Sequence, residues 1–123
     1  MNRFEIEVSP HADDDLFATL RYIRVVHENP PAAQAVYDAY IRGLDRLRDF
    51  ADGCPAAAEA HLVAFDLREG YFATRTGRTY RIVFALWEAS VGVLRIRSQD
   101  QRTLRRRELA AAYQSLGGDP PTS

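Results

Sequence analysis

Residues 68–101 alternate between apolar and polar side chains in a pattern that predicts β-strands. Two segments, residues 79–87 and 91–98, are rich in β-branched and aromatic residues, as half-buried strands are. Residues 61–72 lead into an earlier strand, and residues 76–78 and 88–90 have the composition of turns. The pattern therefore predicts an antiparallel meander of three strands.

The arginines of the last two strands select the register between them, because a slip of one residue sends every side chain to the opposite face. One parity would bury Arg95 and Arg97 among aliphatic side chains, at a cost of several kcal/mol. The other parity, with Trp87 opposite Val93, keeps both arginines on a polar face together with Arg81. The opposite face then collects five apolar side chains: Ile82, Phe84, Leu86, Leu94 and Ile96.

Two amphipathic helices are predicted before the meander. Ser9 followed by proline is typical of a helix start, and an apolar stripe follows from residue 16 to about residue 27. Asn29 followed by two prolines opens a second helix, whose apolar stripe ends at Phe50. Because the two helices are joined by only a few residues, we expect an antiparallel hairpin that covers the apolar face of the sheet.

The two ends of the chain complete the predicted fold. Residues 2–8 alternate as a half-buried strand, and Asp100 is predicted to cap a last helix over residues 103–116. The fold class is therefore α+β: an antiparallel sheet of an N-terminal strand plus the meander, a helical hairpin on one face and a short C-terminal helix. Residues 1–116 are expected to form one domain, and residues 117–123 a disordered tail.

Charge is distributed unevenly along the 123 residues, although the net charge is only −1. Residues 1–66 hold six arginines and twelve acids, whereas residues 67–123 hold ten arginines and five acids. All sixteen basic residues are arginine, a side chain suited to bidentate contacts with carboxylates and phosphates. A GC-rich genome would produce the same bias. The asymmetry of charge is typical of a surface on the second half for a polyanion or an acidic partner.

Several classes of protein are disfavoured by the same sequence. No apolar run approaches the roughly 18 residues of a membrane span, and no secretory leader opens the chain, so a cytoplasmic location is expected. The single cysteine, Cys54, excludes an internal disulfide. The aspartates at positions 13–15 point in different directions on a helix and match its dipole, so they predict a solvated helix start and no metal site. No cofactor is predicted.

Four short segments carry a resemblance to a known family. They are the acids that open the first helix, the Leu-x-x-Leu end of the second, the Leu67-Arg68 pair and Tyr80-Arg81-Ile82. In this order and at these spacings, over residues 4 to about 102, the chain resembles the RelE/ParE superfamily of bacterial toxins from type II toxin–antitoxin modules. The resemblance implies a toxin that inhibits growth and supports plasmid maintenance, and that an acidic, partly disordered antitoxin neutralises. A homodimer and a heterotetramer with the antitoxin both stay open.

The same resemblance implies one of two targets. RelE-like members enter the ribosomal A site and cut mRNA, whereas ParE-like members bind DNA gyrase and block it with no known chemistry of their own. Cleavage of RNA without a metal requires a base, an acid and a cation for the phosphorane. Arg81 matches the arginine of RelE-like members and would be the catalytic phosphate clamp. RelE-like members carry their acid and base at two other positions. On the strand before Arg81, this chain has Phe72, Ala73 and Thr74, and after the last strand it has residues 98–101; none of these residues is basic. The sequence therefore favours the ParE-like alternative.

The predicted binding surface is the arginine face of the sheet. Five arginines are expected to contact the target or the antitoxin through carboxylate–guanidinium contacts: Arg75, Arg78, Arg81, Arg95 and Arg97. An alternative role for Arg81 is an ion pair with Glu69 or Asp66 across the sheet. A non-toxic nucleic-acid or protein-binding relative is the second alternative, and the sequence pI of about 6.3 argues against nucleic acid.

Overall fold

The computed structural model describes residues 3–75 and 77–117. In chain order, its elements are β1 (Glu5–Val8), α1 (Pro10–Arg21) with a π-helical continuation (Tyr22–Val26), α2 (Pro30–Phe50), β2 (Leu67–Ala73), β3 (Thr79–Leu86), β4 (Ser90–Ser98) and α3 (Arg106–Ser115). The four strands form one sheet in the order β1-β4-β3-β2. The α+β class, the helical hairpin, the meander and the short last helix are thus confirmed. Of the expected tail, all but Gly117 lies outside the described residues.

Both predicted starts of the hairpin helices are confirmed. The Ser9 hydroxyl accepts the Ala12 N–H at 3.0 Å and donates to the Leu94 carbonyl at 2.8 Å, which joins the helix start to β4. The Asn29 side chain accepts the Ala32 N–H at 3.1 Å. The start of α3 differs from the prediction: Arg105, and not Asp100, occupies its N-cap, and Glu108 bonds the Arg105 N–H at 2.8 Å.

Strand β1 pairs in the opposite sense to the prediction. It runs parallel to β4, from Glu5 opposite Ser90 to Val8 opposite Val93. The expected all-antiparallel sheet is therefore correct for the meander only. A parallel pair needs a long connection between its strands, and here the connection from β1 to β4 contains the helical hairpin, β2 and β3.

The register between β3 and β4 also differs from the predicted one. The Trp87 N–H donates to the Ser90 carbonyl at 2.9 Å, so the turn closes more tightly than expected. Arg81 consequently lies opposite Arg97, and the predicted pairing of Trp87 with Val93 is wrong.

A β-bulge next to Val83 changes which residues share a face. Val83 pairs with Arg95 and Phe84 with Val93, which leaves Leu94 as the extra residue. Leu94 consequently packs with Val83 on the arginine face, and not with Ile82 and Phe84 as predicted. Arg95 and Arg97 still lie on the same face as Arg81, as predicted. The extra residue, Leu94, comes between them and the turn that joins β3 to β4.

The sheet is covered on both faces. The helical hairpin packs on one face over a core that includes Leu16, Leu44, Ile82 and Phe84. On the arginine face, the loop before β2 and helix α3 form a second core, whose fully buried members include Leu94, Leu104 and Leu109. The predicted stripe of α2 stops short of its end, because Phe50 is 67% exposed.

Gly92 lies where Trp87 and the end of α3 meet. A Cβ at this position would come within 2.6 Å of two Trp87 ring carbons and 2.8 Å of Leu116 Cδ1. Gly92→Ala is therefore expected to lower the free energy of unfolding by about 1–3 kcal/mol, as overpacking does. Urea unfolding measures the loss and Trp87 fluorescence the displaced ring. Gly53→Ala is the control, since a Cβ there meets nothing within 4 Å, and equal stability of the two variants would contradict the prediction.

Candidate functional site

Arg81 is buried on the arginine face and is bound by two carboxylates. Its guanidinium donates to both oxygens of Glu59, at 2.5 and 2.8 Å, and to Glu69 Oε1 at 3.0 Å. The alternative pairing predicted with Glu69 is therefore confirmed, whereas Asp66 bonds Arg68 instead. Arg81 is 9% exposed and Glu59 is 1% exposed. Two carboxylates thus surround one guanidinium, with Glu59 fully buried and the Glu69 side chain 12% exposed.

Hydrogen bonds decide the ionisation of this cluster. Burial acts to raise the pKa of Glu59, but the bonds from Arg81 and from the Leu104 N–H, at 2.7 Å, outweigh it and lower that pKa. The bond to Glu59 raises the pKa of Arg81. The Tyr71 hydroxyl donates to the second oxygen of Glu69, which raises the pKa of Tyr71. All four polar side chains are thus committed to one another.

Arg95 is bound to two helices. Its guanidinium donates to both oxygens of Asp15 on α1, at 2.7 and 2.9 Å, and lies 3.5 Å from Glu108 on α3. Asp15 also accepts the Ile96 N–H at 3.0 Å. The prediction that residues 13–15 form a solvated helix start is therefore wrong for Asp15. The bond to Arg102 lowers the pKa of Glu108 to about 2, so this carboxylate stays ionised.

Arg97 is buried, and no carboxylate among the described residues forms an ion pair with it. It is 6% exposed, and its Nη2 donates to the Arg102 carbonyl at 2.7 Å. Within the described part of the chain, its Nε has no hydrogen-bond partner. Burial, and then the charge of Arg95, lower the pKa of Arg97. The Arg102 carbonyl and the nearby carboxylates are what hold this cation inside the protein.

Arg75 and Arg78 lie apart from the other three. Both are exposed, on the connection between β2 and β3. Arg78 lies 3.7 Å from Asp100, and both side chains are mostly in solvent, so this ion pair adds little stability. The expectation of one exposed surface of five arginines is therefore wrong, because only Arg75 and Arg78 are exposed. Arg81 and Arg97 are buried against the loop before β2 and the segment that leads into α3, and Arg95 is half-buried between α1 and α3.

Apart from Glu69, the carboxylates that bind the enclosed arginines were not found from the sequence. Glu59 stands alone among alanines at positions 56–60, and an isolated carboxylate in an apolar segment was the available signal. Asp15 and Glu108 carry no such signal, because acids near a helix start are common. No trio of His, Cys, Asp or Glu side chains within residues 3–75 and 77–117 is arranged to hold a metal ion. None of the described helices is long and apolar enough to cross a membrane.

Comparison with known proteins agrees with this architecture. Residues 6–103 match the family model described as ParE toxin of the type II toxin–antitoxin system parDE. A solved chain from "Chromosomal ParDE TA system from P. aeruginosa" superposes with a TM-score of 0.56 at 16% identity, covering 78% of this chain and 96% of that one. At that identity, the superposition shows a shared fold. A search of curated proteins finds no match.

The sheet, the hairpin and the order of elements define a protein of the RelE/ParE superfamily of type II toxin–antitoxin modules. Within that superfamily, the chain belongs to the ParE toxin family, whose model spans most of its length. The matched range ends at residue 103, so α3 lies beyond it.

Proposed function

We propose that this protein inhibits growth by binding DNA gyrase, without chemistry of its own, and that a cognate antitoxin neutralises it in the cytoplasm. The observation that carries the proposal is the state of Arg81. A cation that stabilises a phosphorane must face the substrate, yet the Arg81 guanidinium is enclosed and bound by Glu59 and Glu69. Its charge is already matched, so this arginine is unsuited to be the phosphate clamp of a RelE-like nuclease.

The neighbouring groups support the same choice. Glu69 and Tyr71, two candidate replacements for the missing acid and base, are bonded to each other. Arg97, opposite Arg81, is enclosed as well. At the end of β4 and just after it, residues 98–101 supply only hydroxyl, amide and carboxylate groups, and no imidazole. At Arg81 and the described groups around it, metal-independent cleavage of mRNA therefore finds neither an accessible guanidinium nor a free proton-transfer pair.

Two assays on the purified chain test this function. We expect inhibition of DNA supercoiling by gyrase, and no cleavage of mRNA on programmed ribosomes. The control is a protein sample unfolded by heat, which should lose the inhibition. Cleavage by the native chain that disappears in Arg81→Met would overturn the proposal in favour of the RelE-like alternative. Activity in neither assay would overturn both toxin mechanisms.

The partner in the proposal is an antitoxin encoded beside this chain. Membership of the ParE toxin family supports such a partner. Arg75 and Arg78 are the predicted contact residues that remain exposed, so we retain them as contacts to gyrase or to the antitoxin. Arg81, Arg95 and Arg97 act inside the fold, where they join the sheet to α1, α3 and the loop before β2.

A further inference from the structure

An apolar groove lies between α2 and β2, at the outer edge of the sheet. It encloses about 260 Å³ and is lined by Gly43, Leu47, Phe50, Gly70 and Ile82 among others. The two glycines allow the close approach of helix and sheet: a Cβ on Gly43 would lie 3.2 Å from Phe72 Cβ, and one on Gly70 would lie 3.3 Å from Leu47 Cδ2. Phe50, 67% exposed, forms one rim of the groove. The groove therefore leaves a large apolar side chain uncovered.

Beside this groove, half of the β2 edge is open. The first half is paired: the Ala57 N–H donates to the Leu67 carbonyl, and the Glu69 N–H donates to the Pro55 carbonyl. Because backbone groups alternate in direction along an antiparallel strand, those of Tyr71 and Ala73 also point away from β3. Thr79 lies opposite Ala73, and its carbonyl accepts the Gln99 N–H on the β4 side of the sheet, away from Ala73. This direction agrees with outward-pointing groups on Ala73.

Only one of these outward groups is in use among residues 3–75 and 77–117. Arg46 Nη2 donates to the Tyr71 carbonyl at 2.8 Å. The Tyr71 N–H and both backbone groups of Ala73 have no partner there. An edge of this kind, without a proline, lysine or bulge, accepts an added strand.

The charges beside the groove define the chemistry of such a strand. Arg42 and Arg46 lie one turn apart on α2, on the side that faces this edge, and neither pairs with a carboxylate within the described residues. A carboxylate on an incoming strand would form an ion pair with the Arg46 guanidinium. A backbone N–H of that strand would then replace Arg46 as the donor to the Tyr71 carbonyl. Side chains at alternate positions of the same strand would point into the groove.

We propose that an extended segment of the antitoxin, with alternating apolar residues and at least one carboxylate, pairs with β2 at Tyr71–Ala73 and fills the groove beside Leu47 and Phe50. This inference rests on the proposed function in its choice of partner. A second copy of this chain fits the edge less well, because antiparallel pairing of two β2 strands would bring two Arg46 side chains together without a carboxylate.

Two substitutions test the added strand by different physical routes. Ala73→Pro removes an outward N–H and leaves the β3 ladder intact, as proline at an edge does. Arg46→Glu reverses the charge that the carboxylate would meet. Arg24→Glu makes the same charge change on an exposed residue of the π-helical turn and is the matched control. Thermal unfolding of each variant establishes that it folds.

The probe is the purified protein encoded by the small gene next to this one. Titration calorimetry should show that Ala73→Pro and Arg46→Glu each weaken its binding by about tenfold or more, whereas Arg24→Glu changes it less than about threefold. Hydrogen exchange of the complex should show slowed exchange at the Tyr71 and Ala73 amides. Equal binding by all variants, or unprotected amides, would overturn the groove assignment while leaving the antitoxin in place.

The remaining outcomes separate the two proposals. If the neighbouring protein fails to bind the unmodified chain, the antitoxin part of the proposed function is wrong. If sedimentation shows that the chain alone is a dimer, and Ala73→Pro makes it a monomer, the edge belongs to a second copy and the inference is wrong.

Discussion

Glu59→Ala is expected to lower the free energy of unfolding by about 3–5 kcal/mol, the usual cost of removing one partner from a buried ion pair. Glu59 is 1% exposed and accepts three hydrogen bonds, two from Arg81 and one from the Leu104 N–H. Without it, Arg81 keeps only Glu69, and the Leu104 N–H loses its partner. Urea unfolding at neutral pH, followed by circular dichroism, measures the change.

Two controls make the Glu59 result specific. Glu88→Ala removes the same charge from an exposed position and should cost less than about 0.5 kcal/mol. The double variant Glu59→Leu/Arg81→Met should recover much of the loss, because well-packed apolar residues often replace a buried pair without a large cost. A Glu59→Ala variant as stable as Glu88→Ala would show that the buried cluster contributes nothing.

The same cluster sets a direction for the pH dependence. Folding lowers the pKa of Glu59, so its contribution is present above the pKa of the unfolded chain and is lost as the pH falls through the folded pKa. Glu108, with its pKa lowered to about 2, behaves in the same way. The stability difference between the unmodified chain and Glu59→Ala should therefore shrink on acidification below the ordinary carboxyl pKa.

Leu109→Ala is expected to lower the free energy of unfolding by about 2–5 kcal/mol, as large-to-small substitutions in a core do. Leu109 is 0% exposed and lies in the second core with Leu94 and Leu104. Its removal leaves a cavity beneath α3, which that helix cannot close without moving. Urea unfolding measures the loss, and Trp87 fluorescence measures any displacement of α3, because Trp87 lies beside Tyr113 of that helix.

A neighbouring exposed position provides the control for Leu109. Gln114→Ala changes a solvent-facing residue of the same helix and should alter stability by less than about 0.5 kcal/mol. If Leu109→Ala cost no more than Gln114→Ala, α3 would contribute little to the fold. The arginine face would then be open in solution, and Arg81 would be accessible as a phosphate clamp.

The residues that cover the arginine face lie both inside and outside the range that matches the family model. Glu59 lies within the matched residues 6–103, and Leu104 is the first residue beyond them. Leu109 and Tyr113 lie further outside the match. In this chain, therefore, α3 encloses a surface that the sequence had suggested for a partner. The groove beside β2 lies at another edge of the sheet, and α3 does not line it.

The sequence by itself determined the local elements of this fold. Ser9 and Asn29 begin the two hairpin helices, and the apolar alternation in residues 79–98 produces β3 and β4. Each of these signals depends on side chains only a few residues apart, through a cap bond or a shared face. The side of the sheet that carries Arg81, Arg95 and Arg97 was predictable for the same reason, since burying them among aliphatic residues would be costly.

The tertiary structure alone decided whether those arginines are available. Arg81 is neutralised by Glu59, 22 positions away, and Arg95 by Asp15, 80 positions away. No periodicity connects residues so far apart. The pairing of β1 with β4 brings Asp15 of α1 to Arg95, and the pairing of the loop before β2 with β2 itself brings Glu59 to Arg81. An exposed guanidinium is available to a partner, whereas a buried one forms an ion pair within the fold. The position of the distant carboxylate decides which of these roles an arginine has.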